Sequence, residues 1–194
     1  MGKVILDISM SLDGFVTAAN RRPEEPMGDG GQQLHAWAMA DEDTRNHKLL
    51  EDAVADEGAT IAGRATYDTS VPWWGADGPT GSARRPVFVV THNVPSETPE
   101  GGVYTFVTEG IERALHEAKT VAGNKNISVM GGAEIGQQFI RAGLVDEIVI
   151  HLVPVLFGNG TRLFEHLGGE HMQLETIEVI ETRTAIHLRF HVVK

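Results

Sequence analysis

Short apolar runs that alternate with helix-patterned segments constrain this chain more than any other feature. Residues 4–10, 60–63, 87–91, 103–107, 127–130 and 148–155 read as strands, rich in β-branched and aliphatic side chains. Residues 43–57 read as a helix with Leu49, Leu50, Ala53 and Val54 on one face and Gly58 as its stop. Thr108 reads as the cap of a second helix, striped by Ile111, Ala114, Leu115, Ala118 and Ala122. Residues 133–142 read as a third, ended by Gly143. Strand–helix alternation of this kind argues for a mainly parallel sheet with helices on its faces. The tail, roughly 172–193, reads as two long strands with a turn near Arg183-Thr184. There Ile186, Leu188, Phe190 and Val192 alternate with His187, Arg189 and His191, so the first set is expected buried and the second wet. Residues 11–33, 72–81 and 156–164 read as loops. The first is long enough to suggest function or mobility.

Composition narrows the classes of function. The 194 residues suit one domain over 1–194 with a sizeable core. No cysteine is present, which removes thiolate metal sites and a cysteine nucleophile and fits a reducing, cytoplasmic setting. No signal-peptide pattern opens the chain, and no apolar run approaches the ~20 residues of a membrane span. A formal charge of −11 disfavours nucleic acid as a partner. An anionic ligand must then be held by local arginines and backbone amides.

Three clusters fall at predicted carboxyl ends of strands, where open α/β sheets bind ligands. In the first, Gly63-Arg64-Ala65-Thr66-Tyr67, a strand passes into a helix. The Thr66 hydroxyl and the first helical amides suit a pyrophosphate oxygen, and Arg64 suits a further phosphate. Thr91-His92-Asn93 is the second and suits a ribose phosphate, or is a plain turn. The third is Gly131-Gly132, followed by the start of a helix at Ala133, where bare backbone lets a ligand approach. Each has a purely structural reading when taken singly. Together they point to one extended phosphate-bearing ligand, without the G-x-G-x-x-G or P-loop patterns.

Gly63-Arg64-x-Thr66-Tyr67 and Gly131-Gly132 resemble the glycine–arginine motif and the glycine turn of dihydrofolate reductases. Ser11-Leu12-Asp13-Gly14 and Pro154-Val155-Leu156-Phe157-Gly158-Asn159-Gly160 are similar to segments of the bacterial riboflavin-biosynthesis reductase (RibD) C-terminal domain and its stand-alone relatives. The resemblance implies a three-layer α/β/α dihydrofolate reductase-like fold, with a mainly parallel central sheet and an antiparallel C-terminal hairpin. It implies an NADPH-dependent reductase of the dihydrofolate or 5-amino-6-(5-phosphoribosylamino)uracil type, working as a homodimer. Arg64, Thr91 and His92 would then surround the adenosine 2′-phosphate. Thr66 and the amides of Gly132, Ala133, Glu134 and Ile135 would hold the pyrophosphate, with Gly131 in the turn over it and Gly63 as a further cofactor-binding residue. Val16 and Thr17 would cover the nicotinamide. Ala65 stands where folate enzymes often carry a basic residue, which removes one contact to the 2′-phosphate.

The substrate side is defined by fewer residues. Asp7 interrupts an apolar strand, and a carboxyl buried there must be paired or protonated, which suits a proton donor or a heterocycle-binding group. His35 and Trp37 are candidates for the substrate floor, and Arg85 for a substrate carboxylate. Asp13 reads as a loop-fixing residue. No metal is expected: His187 and His191 on one strand stand ~13 Å apart, and Glu165-His166 and Glu170-His171 lack helical pairing. The resemblance implies a small heterocyclic substrate, a pteridine or riboflavin-pathway pyrimidine, or a related molecule. An NADPH-binding dimeric module without turnover and a phosphosugar enzyme remain as alternatives. Residues 148–155 and the tail hairpin are the candidate dimer surfaces.

Overall fold

A computed structural model of the chain describes residues 2–39, 43–169 and 171–194. Strand β1 (Val4–Ser11) leads into β2 (Phe15–Ala18), a 3-10 turn over Gly31–His35, and helices α1 (Ala36–Met39) and α2 (Thr44–Asp56). Next come β3 (Glu57–Gly63), α3 (Arg64–Trp74), β4 (Val87–Val90), β5 (Tyr104–Val107), α4 (Ile111–Ala122), β6 (Asn126–Met130) and α5 (Ala133–Arg141). The chain closes with β7 (Glu147–Val153), β8 (Gly160–Arg162), β9 (Leu174–Glu181) and β10 (Ile186–Val192). An eight-stranded sheet has the order β5-β4-β3-β6-β1-β7-β10-β9. Strands from β5 to β7 run parallel, and β10 and β9 add antiparallel at the edge. This is the α/β arrangement expected from the strand–helix alternation.

The two faces of the sheet differ in kind. On one, Leu6, Ile8, Ile61, Val129, Ile148 and Ile150 pack against Ala114, Leu115 and Ala118 of α4 and Ile135 and Phe139 of α5. This face is dry and close-packed, and it supplies most of the hydrophobic stabilisation. On the other, Tyr67 of α3 covers only Val87 and Val89 at the β4 side. A separate small cluster of Leu34, Trp37, Val153 and Ala185 forms at the opposite side. Between these two clusters the sheet face lies open.

Several local expectations change. Gly58 does not stop α2: the chain turns from Asp56 directly into β3, with Glu57 already extended. A Cβ on Gly58 would lie 2.7 Å from Ala122 Cβ, so the glycine is needed for β3 to approach α4. Gly110, with φ 96°, caps α4 in place of Thr108, whose amide and hydroxyl both bond Glu109. Trp73 and Trp74 belong to α3, which tolerates Pro72, and not to a loop. The expected loops 11–33 and 156–164 contribute β2 and β8, which pair with each other in a small second sheet. In the tail the expected sides partly reverse. His187 is buried at 4% exposure while Ile186 is 40% exposed.

Gly58→Ala should lower stability by about 1–3 kcal/mol through overpacking alone, because its backbone is not in a glycine-only region. Urea titration should show a lower midpoint with an unchanged slope.

Candidate functional site

The open face of the sheet floors a cleft of about 630 Å³. Alternation along the strands puts Asp7 and Ser9 of β1, Ser128 and Met130 of β6, His151 of β7 and His187 of β10 on this floor. Helices α2 and α3 wall it with Leu49, Leu50, Ala65, Thr66 and Trp74. Clefts of this size accommodate small molecules and cofactors.

At the carboxyl end of the sheet, two helix N-termini meet. Neither α3 nor α5 has a side-chain cap, so their first-turn amides lack intrahelical partners. Gly132 N–H donates to Thr66 Oγ1 at 2.9 Å and so ties one terminus to the other. Gly131 has φ 107°, and a Cβ there would stand 2.2 Å from Thr66 Oγ1. Only glycine permits this contact. The amides of Ala133, Glu134 and Ile135 open beside it, a seat for an anion reinforced by two helix dipoles. Nearby, Arg64 donates from Nη1 to Thr91 Oγ1 at 3.3 Å and to Asn93 O at 2.6 Å. Arg64 Nε also binds Asp68 at 2.7 Å, so an incoming phosphate competes with a carboxylate for this guanidinium. His92 stands exposed one residue beyond Thr91.

Val16 and Thr17 line the same cleft from β2, and Thr17 Oγ1 is buried without a hydrogen-bond partner. An orphaned hydroxyl facing a cleft is the kind of group a ligand satisfies. The loops behind it are pinned by Asp13. Its carboxylate accepts from Ser11 Oγ at 2.6 Å, Phe157 N at 3.1 Å and Gly158 N at 2.7 Å. The Ser11 hydrogen bond, aided by these backbone donors, pulls its pKa down to about 2. These contacts match the loop-fixing role read for Asp13.

The floor holds a hydrogen-bonded chain in which the sequence gives no sign of His151 and reads His187 as solvent-facing. Asp7 Oδ1 lies 3.0 Å from His151 Nε2, and His151 Nδ1 lies 2.7 Å from His187 Nδ1. His187 Nε2 lies 3.0 Å from Asn46 Oδ1, and Asn46 Nδ2 donates to the Trp37 carbonyl at 3.0 Å. Trp37 packs on both rings, with centroids at 4.1 Å from His151 and 4.9 Å from His187. Its indole N–H donates to Ser9 Oγ. Burial, and then the neighbouring His151, pushes the His187 pKa down to about 4. The visible signal was His187 alternating with apolar residues. That pattern alone places it on the wet side, because the partner that buries it, α2, is over 130 positions away in sequence.

Trp37 and His35 both line the cleft, Trp37 buried and His35 at its exposed rim. Arg85 does not line it. Arg85 lies at the amino end of β4, beside Glu57, where its charge acts on that carboxyl instead. The structure therefore does not bring Arg85 together with Asp7, His35 and Trp37, the other residues read for the substrate. Glu57 itself, unnoticed in the sequence, lines the cleft, accepts a hydrogen bond from Thr60 and is pushed up to about pKa 7 by burial. Among the described residues no group of three or more histidine or acidic side chains is arranged to hold a metal ion; Glu170 of the Glu170-His171 pair lies outside them. Nor is any helix there long and apolar enough to cross a membrane.

Glu57 and His187 impose opposite pH dependences. Between pH 4.5 and about 7 the folded protein keeps the Glu57 proton and the unfolded chain loses it, so this contribution to stability falls as pH rises. Between pH 6.5 and about 4 the unfolded chain binds a proton that folded His187 refuses, so that contribution falls as pH falls. Each is of order 3 kcal/mol across its window. In denaturant melts, Glu57→Gln should make stability rise more steeply from pH 4.5 to 7, and His187→Gln should make it fall.

The RibD C-terminal domain family matches residues 2–187. The uncharacterized protein YyaP of Bacillus subtilis is 26% identical over 94% of this chain and 88% of its own length. A second B. subtilis protein, the uncharacterized YwjB, is 36% identical over a shorter stretch, 34% of this chain and 37% of that protein. Among solved structures, a protein of Shewanella sp. PV-4 provisionally assigned to riboflavin biosynthesis superposes with a TM-score of 0.74, at 22% identity and 99% coverage of both chains. Enterococcus faecalis dihydrofolate reductase, in complex with NADP(H) and RAB-propyl, superposes with a TM-score of 0.61, at 16% identity over 100% of this chain and 98% of that one. The fold is thus dihydrofolate reductase-like, and the chain belongs to the RibD C-terminal domain family.

Proposed function

We propose that this protein is an NADPH-dependent reductase of a small unsaturated heterocycle or carbonyl compound. Membership of a reductase-type family supports an oxidoreductase. The observation that carries the fuller reading is the joined pair of uncapped helix N-termini at one end of a cleft whose floor bears Asp7. The amides of Ala133, Glu134 and Ile135, with Gly63, Thr66, Gly131 and Gly132, are assigned to the pyrophosphate. Arg64, Thr91 and His92 are assigned to the 2′-phosphate, and Val16 and Thr17 to the nicotinamide. When bound, the cofactor supplies a hydride. The chain positions the acceptor over Asp7, His35 and Trp37, excludes water and supplies a proton.

The lining charge favours an acceptor without phosphate. Asp7, Asp52, Asp56, Glu57, Glu134 and Glu178 face the cleft against Arg21 and Arg189. Arg189 is already bound to the buried Glu147 at 2.6 Å, and Arg21 Nε to the Pro26 carbonyl at 2.8 Å. An unphosphorylated pteridine or pyrimidine is therefore placed ahead of a phosphoribosyl pyrimidine. We further assign a homodimer surface to the tail hairpin, where Ile177, Val179 and Ile186 are exposed. Strand β7 is not that surface, because Ile148 and Ile150 are buried in the core. The absence of cysteine agrees with work in the cytoplasm.

NADPH at 100 times its Kd should stabilise the protein by about 2.7 kcal/mol, read as a thermal shift. Arg64→Ala should weaken NADPH at least tenfold and NADH little; equal losses would remove the 2′-phosphate role. Incubation with dihydropteridines, carbonyl compounds and pyrimidines with and without phosphate should oxidise NADPH with at least one unphosphorylated acceptor. Binding without oxidation across the panel would replace this reading with that of a cofactor-binding module.

A further inference from the structure

Hydrogen bonds from a backbone carbonyl to the cleft fix where each proton in the buried chain must sit. The Trp37 carbonyl can only accept, so the Asn46 group facing it is the NH₂, and Asn46 Oδ1 faces His187. Oδ1 can only accept, so His187 Nε2 carries a proton. The Thr182 hydroxyl, 3.5 Å from the same nitrogen, donates instead to the Ala185 carbonyl and does not compete. A neutral His187 then presents a bare Nδ1. At 2.7 Å from it, His151 Nδ1 must hold the proton between them, because two lone pairs cannot face each other at that distance. His151 Nε2, 3.0 Å from the Asp7 carboxyl, is left with one remaining contact. A bare Nε2 facing an ionised carboxylate would be repulsive.

Three contacts therefore need three protons, one more than two neutral imidazoles and a carboxylate provide. His187 is the more deeply buried ring and lies on the far side of His151 from the Asp7 carboxylate, so the extra proton is not held on its nitrogen. It lies between Asp7 and His151, either as a carboxylic acid beside a neutral ring or as a carboxylate beside an imidazolium. His151 and His187 are buried, and Asp7, with a side chain 32% exposed, is the member that meets the cleft. The charged and titratable groups around the chain are few. Glu57 faces Asp7 from β3, His35 faces His151 from the cleft rim, and Asp43 and Arg45 face His187 from the start of α2.

We propose that Asp7, His151 and His187 form a proton store, in which the Asp7–His151 pair holds one proton for delivery into the cleft and His187 is the positioning residue that keeps it there. His187 acts by forcing the Nδ1–H tautomer on His151. Without that constraint a neutral His151 would turn its only N–H toward Asp7, and the pair would need no extra proton. In a reduction, the acceptor's double bond gains a hydride at one atom, from a reduced nicotinamide, and this proton at the other. The chain is left with two protons and one negative charge until water returns a proton at Asp7. The chemical use of the store rests on the reductase reading. Its existence does not.

The test is nuclear magnetic resonance of the ligand-free full chain, labelled with ¹⁵N at histidine and ¹³C at aspartate, at pH 7. The expected wild-type spectrum shows an Nε2–H tautomer at His187, an Nδ1–H at His151, and either an imidazolium at His151 or a protonated Asp7 carboxyl. Asp7→Asn, whose amide can donate to His151 Nε2, should keep both tautomers, with His151 neutral. His187→Phe should lose the extra proton at a pH at least one unit lower than wild type, a tenfold weaker hold. An ionised Asp7 beside a neutral His151 in the wild type, or an unchanged hold in His187→Phe, would overturn the proposal. If the extra proton is found and no acceptor oxidises NADPH, the store stands and the reductase reading falls. If NADPH is oxidised and the proton is missing, the store falls alone.

Discussion

The rest of the molecule depends on the unequal covering of its central sheet. Helices α4 and α5 seal one face with Leu115, Ile135, Phe139 and their neighbours, and that seal carries the fold. The opposite face is free to hold Asp7, Ser9, Ser128 and His151, because α2 and α3 stand apart over it. A polar residue in the middle of a parallel strand would be costly under a tightly packed helix. Here it borders a cleft. Glycine makes the division possible at two points: Gly58 lets β3 close against α4, and Gly131 lets α5 begin against Thr66.

The cleft joins two kinds of rigidity. At the carboxyl end of the sheet, the proposed cofactor seat is made of backbone amides that are fixed by helix geometry and cost nothing to reorganise. On the floor, the orientation of each side chain is set by the next, outward from the Trp37 carbonyl to Asp7. Trp37 serves both, since its carbonyl anchors the chain and its ring packs against the two imidazoles. Overall charge plays a smaller part. With −11 across the molecule, the anion recognition proposed here would fall to Arg64 and the helix termini, and even Arg64 is shared with Asp68.

What could be read in the sequence was local. The strand–helix alternation, the Gly63-Arg64-x-Thr66 and Gly131-Gly132 turns and the solitary Asp7 all show themselves within a few residues, and the structure brings Thr66 and Gly132 into direct contact. What could not be read depends on distant partners. His187 looked solvent-facing because its pattern is correct for a two-faced strand, and only Asn46 and Trp37 reveal that its side is covered. Gly58 looked like a helix stop because the packing demand of Ala122 lies on another element. Glu57 falls at the end of the segment read as a helix, yet the direct passage from α2 into β3 turns it into the cleft. Arg85 is read by analogy of position before a strand, and in the fold it lies beside Glu57 without lining the cleft.

The central claim is that the two joined helix N-termini seat a dinucleotide whose reactive end reaches the floor of the cleft. Hydrogen–deuterium exchange of the full chain with and without saturating NADPH tests it directly. The account predicts slower exchange at residues 64–66 and 131–135 and at Val16 and Thr17, with the β9 edge of the sheet unchanged. Binding of NADPH with no protection at 131–135 would contradict it.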